Sequence, residues 1–190
     1  TLQNENDTVL IDFAPYLPSY DAAASFIASP IMRDGERLGI LIFQMPIDGI
    51  NGIMTNKQSW RGTGFGETGE TYLVGGDNLL RSQSRFLLED KAAYLQAMKQ
   101  AVDSSILSQI DARNSAVGLQ KIDNSSSQNA LAGRSNITYI ENYRGETVIS
   151  AYTPIQVLGL NWALLSEIDQ QEAFSHLKKL TSSIITTTVM

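Results

Sequence analysis

The residues best suited to bind a charged small molecule lie in the segment Arg81-Ser82-Gln83-Ser84-Arg85. Two guanidinium groups and two hydroxyl groups follow directly on a predicted core strand. Because guanidinium groups bind carboxylates through pairs of hydrogen bonds, this segment could form a clamp for an anion or a carboxylate. The alternative is a solvated strand end at which Arg85 pairs with Glu89 or Asp90. The sequence leaves both interpretations open.

Aromatic residues on the predicted strands are a second source of binding surface. A ring whose polar tip faces a cavity is a common wall of a small-molecule pocket, although some of these rings must belong to the core. The residues concerned are Tyr72, Tyr139, Tyr143, Tyr152 and Trp162.

A dinucleotide site is not supported by the glycine-rich segment. The letters of Gly64-Phe65-Gly66-Glu67-Thr68-Gly69 match the G-x-G-x-x-G pattern. That pattern binds pyrophosphate only when a strand precedes it and a helix begins after it, whereas here a strand follows. We therefore interpret these glycines as turn residues.

Catalytic side chains are also poorly supported. The only histidine, His176, makes neither a zinc site nor a Ser-His-Asp triad without distant partners, and the chain has no cysteine. The paired acids are explained by helix capping and the helix dipole; they are Glu89 with Asp90, and Glu167 with Asp169. We expect no enzyme, no cofactor and no metal site, and a hydrolase using Ser84 or Glu167 is the alternative among enzymes.

The composition indicates a globular protein that does not bind nucleic acid. Of 190 residues, 43% are apolar and 18% are charged, and the net charge is -6. Nucleic-acid binding needs clustered lysine and arginine, and the sequence has no such stripe. A chain of this length fits one domain, or one domain and part of another.

The first part of the chain predicts an antiparallel meander and a short helix. The Asp34-Gly35 pair has the chemistry of a hairpin turn. The third strand is a continuous apolar run, which predicts burial on both of its faces. The predicted strands are residues 9–13, 24–31 and 38–45, and the predicted helix is residues 47–56.

The second part predicts a larger unit. Apolar residues recur at spacings of three and four from Leu88 to Ile110 and predict one long helix. Residues 118–133 are predicted to be irregular, with a loop tip at residues 124–127. The predicted strands are 71–74, 79–82, 137–142, 146–154 and 160–168, and a closing helix is expected from Asp169.

The last three strands resemble the first three, which indicates an internal repeat. A stretch from Gly39 to Asp48 in one copy corresponds to a stretch from Gly159 to Asp169 in the other. The first copy lacks the opening hairpin and the long helix of the second. We infer one complete module preceded by the back half of another.

Several runs resemble double Cache sensor domains, the PAS-like extracytoplasmic domains of chemotaxis receptors, sensor histidine kinases and cyclase receptors. The resemblance covers nearly the whole chain, and it is carried by Gly66 to Val74 with Leu80 to Phe86, Asn142 to Gly145, Ser150 to Pro154, Leu160 to Leu165, Phe26 to Ile31 and Leu41 to Asp48.

The resemblance implies an α+β fold in which each module has a central antiparallel sheet of about five strands flanked by helices, with a long C-terminal helix. It divides the chain into the C-terminal half of a membrane-distal module (1–48), a linking helix and loop (49–66), the membrane-proximal module (67–169) and a closing helix (170–190). That helix is expected to run into a truncated transmembrane segment. The protein is then expected in the inner membrane, with this chain on the periplasmic or extracellular side, as a homodimer formed through helices.

The resemblance also implies a small-molecule ligand, such as an amino acid or a carboxylate. The alternative function is a structural spacer that transmits a signal and binds nothing. Candidate walls of the distal pocket are Asp12, Tyr16, Phe26 and Asp48. The ligand site that we predict comprises Arg81, Ser84, Arg85, Tyr139, Tyr152, Trp162 and Asp169.

Overall fold

A computed structural model describes residues 8–60 and 64–175, which form two antiparallel sheets joined by a short helix. The first sheet has the strand order β1-β2-β3. Its elements are β1 (Val9–Tyr16), β2 (Ala22–Arg33) and β3 (Glu36–Met45), and α1 (Ile47–Met54) follows. The predicted meander is confirmed, and it turns at Asp34 and Gly35, both of which have positive φ angles.

The prediction that β3 is buried on both faces is wrong. Its apolar side chains are exposed on both faces; Leu38 is 58% and Phe43 is 59% exposed. β3 is an edge strand, and no element in the described part of the chain covers it. An apolar run shows that a strand is suited to burial, but burial itself requires a neighbouring element.

The second sheet has the order β4-β7-β6-β5, and helices cover one of its faces. Its strands are β4 (Glu70–Gly75), β5 (Asn136–Glu141), β6 (Thr147–Val157) and β7 (Leu160–Asp169). The sheet has four strands and not about five, because residues 79–82 contribute only isolated bridges at Leu79 and Leu80. The α+β class with antiparallel sheets is confirmed.

The single long helix predicted from Leu88 to Ile110 is wrong. The segment forms α2 (Arg85–Glu89), α3 (Lys91–Met98) and α4 (Ser104–Arg113). Asp90 caps α3 by accepting the Ala93 N–H at 2.9 Å, and Asp103 caps α4 by accepting the Ser105 N–H at 2.7 Å. The apolar period continues through the breaks because all three helices pack on the same core.

The irregular segment predicted at residues 118–133 contains a helix, α5 (Ser125–Leu131). Asn124 accepts the Ser127 N–H at 2.9 Å, and the Asn124 N–H donates to the Ser127 hydroxyl at 3.2 Å. This reciprocal pair is a capping box, and it starts a helix in a polar segment that has little helical periodicity.

Two apolar clusters lie on opposite faces of the second sheet. Tyr72, Val74 and Leu165 face α2–α5 and form the larger cluster. Leu73 and Trp162 face the other way and pack with Phe13 of β1 and with α1. The second sheet is therefore covered by its own helices on one face, whereas the first sheet and α1 cover only part of the other face and leave β5 exposed.

The proposed repeat is visible as two long hairpins, β2–β3 and β6–β7, each followed by a short helix. The second hairpin turns at Leu158 and Gly159, which have positive φ angles. Gly39, however, lies within β3 opposite Ile31. The two glycines matched by sequence are therefore not structurally equivalent, and the turn that corresponds to Gly159 contains Gly35.

The closing helix begins as α6 (Gln170–Ala173) directly after β7. The expected continuation of this helix, the truncated transmembrane segment and His176 lie outside the described residues. Within the described residues, no helix is long and apolar enough to cross a membrane.

Candidate functional site

Two buried acids lie side by side on the helix-covered face of the second sheet. Glu70 of β4 is paired in register with Glu167 of β7, and each residue is only 3% exposed. Directly opposed residues of an antiparallel pair lie close enough to interact, and like charges there are destabilising. Ionisation of both carboxyl groups at once would therefore destabilise the fold.

Glu70 is held by two short hydrogen bonds. Its carboxyl group accepts the backbone N–H of Arg85 at 2.7 Å and the hydroxyl of Tyr143 at 2.6 Å. The Tyr143 oxygen also lies 2.8 Å from Ser84 Oγ. Burial raises the pKa of Glu70 although these hydrogen bonds act to lower it.

Glu167 has fewer partners. Ser150 Oγ donates to one of its carboxyl oxygens at 3.0 Å, and the other oxygen has no hydrogen bond within the described structure. The buried hydroxyl of Tyr72 likewise has none. Burial raises the pKa of Glu167 to about 7, and the charge of Glu70 adds to the increase. Near neutral pH this carboxyl group therefore takes up or releases a proton.

The phenol groups around the acids remain neutral. Burial raises the pKa of both Tyr72 and Tyr143 well above the ordinary value, and the nearby Glu70 carboxyl raises it further. Neutral phenols donate hydrogen bonds and do not supply a positive charge. The cluster can hold a proton, or it can receive a hydrogen-bond donor or a positive charge.

Neither metal binding nor hydrolysis is favoured by this geometry. In residues 8–60 and 64–175, no group of three or more His, Asp or Glu side chains is placed to hold a metal ion. Ser84 Oγ contacts the Tyr143 hydroxyl and accepts the Phe86 N–H, so it caps α2. A nucleophilic serine needs a base in that position.

Arg81 binds a carboxylate of the chain itself, Asp12 of β1, and its predicted role in a ligand clamp stays a prediction. Arg81 Nε and Nη2 each lie 2.9 Å from an Asp12 oxygen, and Nη2 also lies 2.8 Å from Asp77. Nη1 donates to the Leu79 carbonyl at 3.1 Å. Trp162 donates its indole N–H to the same Asp12 at 3.1 Å. Arg81 and Trp162 thus join the two sheets through one carboxylate.

Arg85 holds the loop of residues 66–69 rather than an open site. Its Nη1 donates to the Gly69 carbonyl at 2.5 Å and its Nη2 to the Gly66 carbonyl at 3.0 Å. Nη2 also lies 3.1 Å from Glu89, as the alternative interpretation of the sequence expected. Trp60 stacks on the guanidinium group, 5.0 Å from its ring centre.

The same loop is held from its other side by Glu172 of α6. The backbone N–H groups of Glu67 and Thr68 donate to the Glu172 carboxylate at 2.8 Å each, and so does the Thr68 hydroxyl. Partial burial acts to raise the pKa of Glu172, but these hydrogen bonds outweigh it and lower the pKa. The loop therefore connects α2, through Arg85, to the first turn of the closing helix.

We predict that Gly66→Ala will release Glu172 from this loop. Gly66 has a φ of +57°, and a Cβ atom there would lie 2.1 Å from the Glu172 carboxylate. Hydrogen exchange at the amides of Glu67 and Thr68 should accelerate. The free energy of unfolding should fall by about 1–2 kcal/mol because of strain and lost hydrogen bonds. The control is Gly64→Ala, which also has positive φ but meets no atom within 4 Å; equal exchange rates in the two variants would contradict the prediction.

The remaining predicted residues do not converge on one site. Tyr152 lies on the helix-covered face and accepts a hydrogen bond from Asn129 at 3.2 Å. Tyr139 lies exposed on β5, the outer strand of the second sheet. Asp169 lies at the end of β7, where Arg144 Nη2 is 2.6 Å from its carboxylate.

The candidate walls of a distal pocket are also separated. Tyr16 and Phe26 contact each other edge to face, with ring centres 4.9 Å apart. Asp48 is exposed in the first turn of α1, and Asp12 is bound to Arg81. Whether a ligand contacts any of these residues stays a prediction.

Three residues of structural importance were missed by sequence reasoning: Glu70, Arg144 and Glu172. Glu70 had a detectable signal, because it alternates with Tyr72 and Val74 on the buried face of a strand. An acid in such a position needs a specific reason. Arg144 and Glu172 gave no signal, since a turn arginine and a helix glutamate are usually solvated.

No protein-family model matches the sequence, and no curated protein sequence matches it. Solved structures do match. The ligand-binding domain of the Pseudomonas aeruginosa PAO1 amino acid chemoreceptor PctC, in complex with GABA, aligns with a TM-score of 0.50 and 14% identity over 86% of this chain and 57% of that chain.

Two further structures have lower scores. The ligand-binding domain of the P. aeruginosa PAO1 chemoreceptor PctB with L-Arg has a TM-score of 0.48 and 19% identity over 88% of this chain and 56% of that chain. The extracellular domain of the putative histidine kinase mmHK1S-Z3 has a TM-score of 0.49 and 15% identity over 92% of this chain and 53% of that chain. The chain thus spans little more than half the length of these structures. The chain shares the fold of the PctC ligand-binding domain.

Proposed function

We propose that this chain is an extracytoplasmic ligand-sensing input domain of a transmembrane signalling receptor, and not an enzyme. The observation that carries the proposal is the fold shared with the PctC ligand-binding domain. The hydrogen-bonded connection from α2 through the loop of residues 66–69 to α6 supports it, because a sensor must transmit a change at its core to its closing helix.

We assign the parts of the chain as the resemblance to double Cache sensor domains implied. Residues 1–48 are the C-terminal half of a membrane-distal module, residues 49–66 link it to the proximal module, and residues 67–169 are that proximal module. Residues 170–190 lead to the inner membrane, with the chain on the periplasmic or extracellular side. The receptor is a homodimer through helices, and its output is chemotactic, kinase or cyclase signalling.

Binding of a small molecule is the central test. A ligand present at a hundredfold excess over its Kd stabilises a protein by about 2.7 kcal/mol, which for a chain of this size raises Tm by about 5–10 °C. We expect such a shift with at least one compound from a panel of amino acids, γ-aminobutyrate, small monocarboxylates and amines. Sodium chloride at matched ionic strength is the control. If no compound raises Tm above that control, direct sensing by this chain is wrong.

A spacer that transmits signals without binding is the second candidate. It is favoured by one observation, namely that Arg81 and Arg85 already bind acceptors within the protein. Alanine variants of these arginines would disturb the structure as well as any ligand contact, so they do not separate the two functions. The compound panel separates them, because a spacer binds none of the compounds.

A further inference from the structure

The buried acids Glu70 and Glu167 lie at the end of the β4–β7 ladder. They form its last register pair, and the next pair, Thr71 with Ser166, lies further inside the sheet. Directly opposed residues of an antiparallel pair have Cβ atoms about 4.5–5.5 Å apart. The end of a ladder also opens at a lower free energy than its middle. Repulsion between the two acids therefore acts where the sheet opens most easily.

Both strands lead directly from the acids to the junction with the closing helix. Glu70 follows the loop of residues 66–69, and Glu167 lies close to the end of β7, from which α6 follows. In the loop, Thr68 Oγ1 accepts the Asp169 N–H at 3.1 Å, and the loop amides are held by the carboxylate of α6. A change in the distance between the acids is therefore transmitted to this junction by short stretches of backbone on both sides.

Positive charge near the pair is limited to one side. Arg144, in the turn between β5 and β6, acts to lower the pKa of Glu70 through its charge. Arg85 of α2 gives Glu70 its backbone N–H, but its guanidinium group binds the loop and Glu89. Within the described residues, neither oxygen of Glu167 binds a cation. A proton is therefore the remaining means of neutralising the second acid.

The other groups that face the pair do not change charge near neutral pH. Tyr72 of β4, Tyr94 of α3 and Tyr143 of the turn have pKa values raised first by burial and then by the charge of the acids, so they stay neutral. The strand β6 presents the Ser150 hydroxyl, and α5 presents the amide of its cap, Asn124. Among the described groups around the pair, only the two acids titrate in this range.

We propose that Glu70 and Glu167 together form a proton-binding site whose occupancy controls the attachment of the closing helix. With one proton bound, the carboxyl groups lie side by side, the ladder stays paired to its end, and the loop of residues 66–69 holds α6. When the proton leaves to solvent, two negative charges oppose each other, and opening of the ladder end moves them apart into water. The inference goes beyond the proposed function, because it requires no small-molecule ligand.

The direction of the pH effect follows from the acid with fewer partners. In the attached state the pKa of Glu167 is about 7, and after opening into water it returns to the ordinary value of 4.5. Opening therefore releases a proton between these values and becomes up to about tenfold more favourable for each pH unit. Glu172 stays ionised over this range, because its hydrogen bonds lower its pKa.

Hydrogen exchange at the loop amides of the whole chain tests the coupling. Glu67 and Thr68 donate their N–H groups to Glu172, and their protection factors should fall at least about fivefold between about pH 5.5 and pH 6.5. In Glu167→Gln the fall should be less than half as large. Glu146→Gln, at an exposed acid of the neighbouring turn, should leave it unchanged. His176 is the same in all these chains, so its titration cancels in the comparison.

An acid pair that affects only global stability would give a different pattern. Protection would then vary with pH at core amides such as that of Leu73, which donates to Ser82 inside the sheet at 3.0 Å, and not in the loop. Protection factors at Glu67 and Thr68 that do not change with pH overturn the inference. An equal pH dependence in Glu167→Gln does so as well.

An NMR titration of the Glu167 side-chain carboxyl in the unmodified chain provides a test that requires no variant. The midpoint should lie at about 7, and a midpoint at the ordinary value of 4.5 overturns the inference. The result is separate from that of the compound panel. If no compound raises Tm while the loop amides still follow pH, the sensing of small molecules is wrong and the proton site stands. If a compound raises Tm and the loop amides ignore pH, the reverse holds.

Discussion

Replacing Arg81 by alanine should lower the free energy of unfolding of the whole chain by about 3 kcal/mol, measured by urea denaturation. Arg81 is 3% exposed, and its donors bind Asp12, Asp77 and the Leu79 carbonyl. Removing one partner of a buried ion pair typically costs about 3–5 kcal/mol because the other charge is left unpaired. The Asp12 and Asp77 side chains are 30% and 48% exposed, so water compensates them in part. The low end of that range therefore applies.

The matched control is Arg134→Ala. Arg134 is exposed, and among the described residues it binds only the side chain and the backbone carbonyl of Asn129. The loss should stay below about 1 kcal/mol, as for other exposed polar contacts. A loss at Arg81 no larger than at Arg134 would show that the Asp12 contact does not join the two sheets. The unfolding should also remain a single transition in the control and separate into two steps in Arg81→Ala.

The hairpins of this fold were predictable because their signals are local. Asp34-Gly35 lies between apolar stretches and forms the expected turn, and Leu158-Gly159 turns the second long hairpin in the same kind of setting. The breaks at Asp90 and Asp103 were missed because helical periodicity and capping gave opposite indications. Periodicity continues wherever several helices share one core, so a capping residue inside a periodic run is the better guide to where a helix ends.

The contacts of the candidate site were less predictable because they join distant segments. The sequence left open whether Arg81 belongs to a clamp for an anion or to a solvated strand end, and its partner in the structure is a carboxylate of the chain itself, Asp12, 69 positions away. Glu172 binds the loop amides across 104 positions or more. Charge and hydrogen-bonding capacity can be read from single residues, whereas the partner depends on how the sheets and helices pack.

Glu167→Gln should reduce the fall in stability between about pH 4.5 and pH 7, to which Glu70, whose pKa is also raised by burial, contributes in the same direction. Below pH 4.5, the ordinary pKa of a glutamate, Glu167 is protonated in both the folded and the unfolded chain. Folding then buries a neutral group and not a charge. As the pH rises toward the folded pKa of about 7, the unfolded chain ionises first, and the free energy of unfolding of the unmodified protein falls. The shift from 4.5 to about 7 corresponds to about 3 kcal/mol.

Denaturation at a series of pH values measures this effect. Above pH 7 the variant should be more stable than the unmodified protein, because a neutral amide replaces a buried charge beside Glu70, whose own pKa is raised by burial. Glu172 changes the free energy of unfolding with pH in the opposite direction to Glu167. Its lowered pKa stabilises the fold above its ordinary value, and that contribution is lost only at lower pH. Glu146→Gln, at an exposed acid, should leave the pH profile unchanged. A profile for Glu167→Gln that stays parallel to that of the unmodified protein would mean that the buried acid pair does not control the pH response.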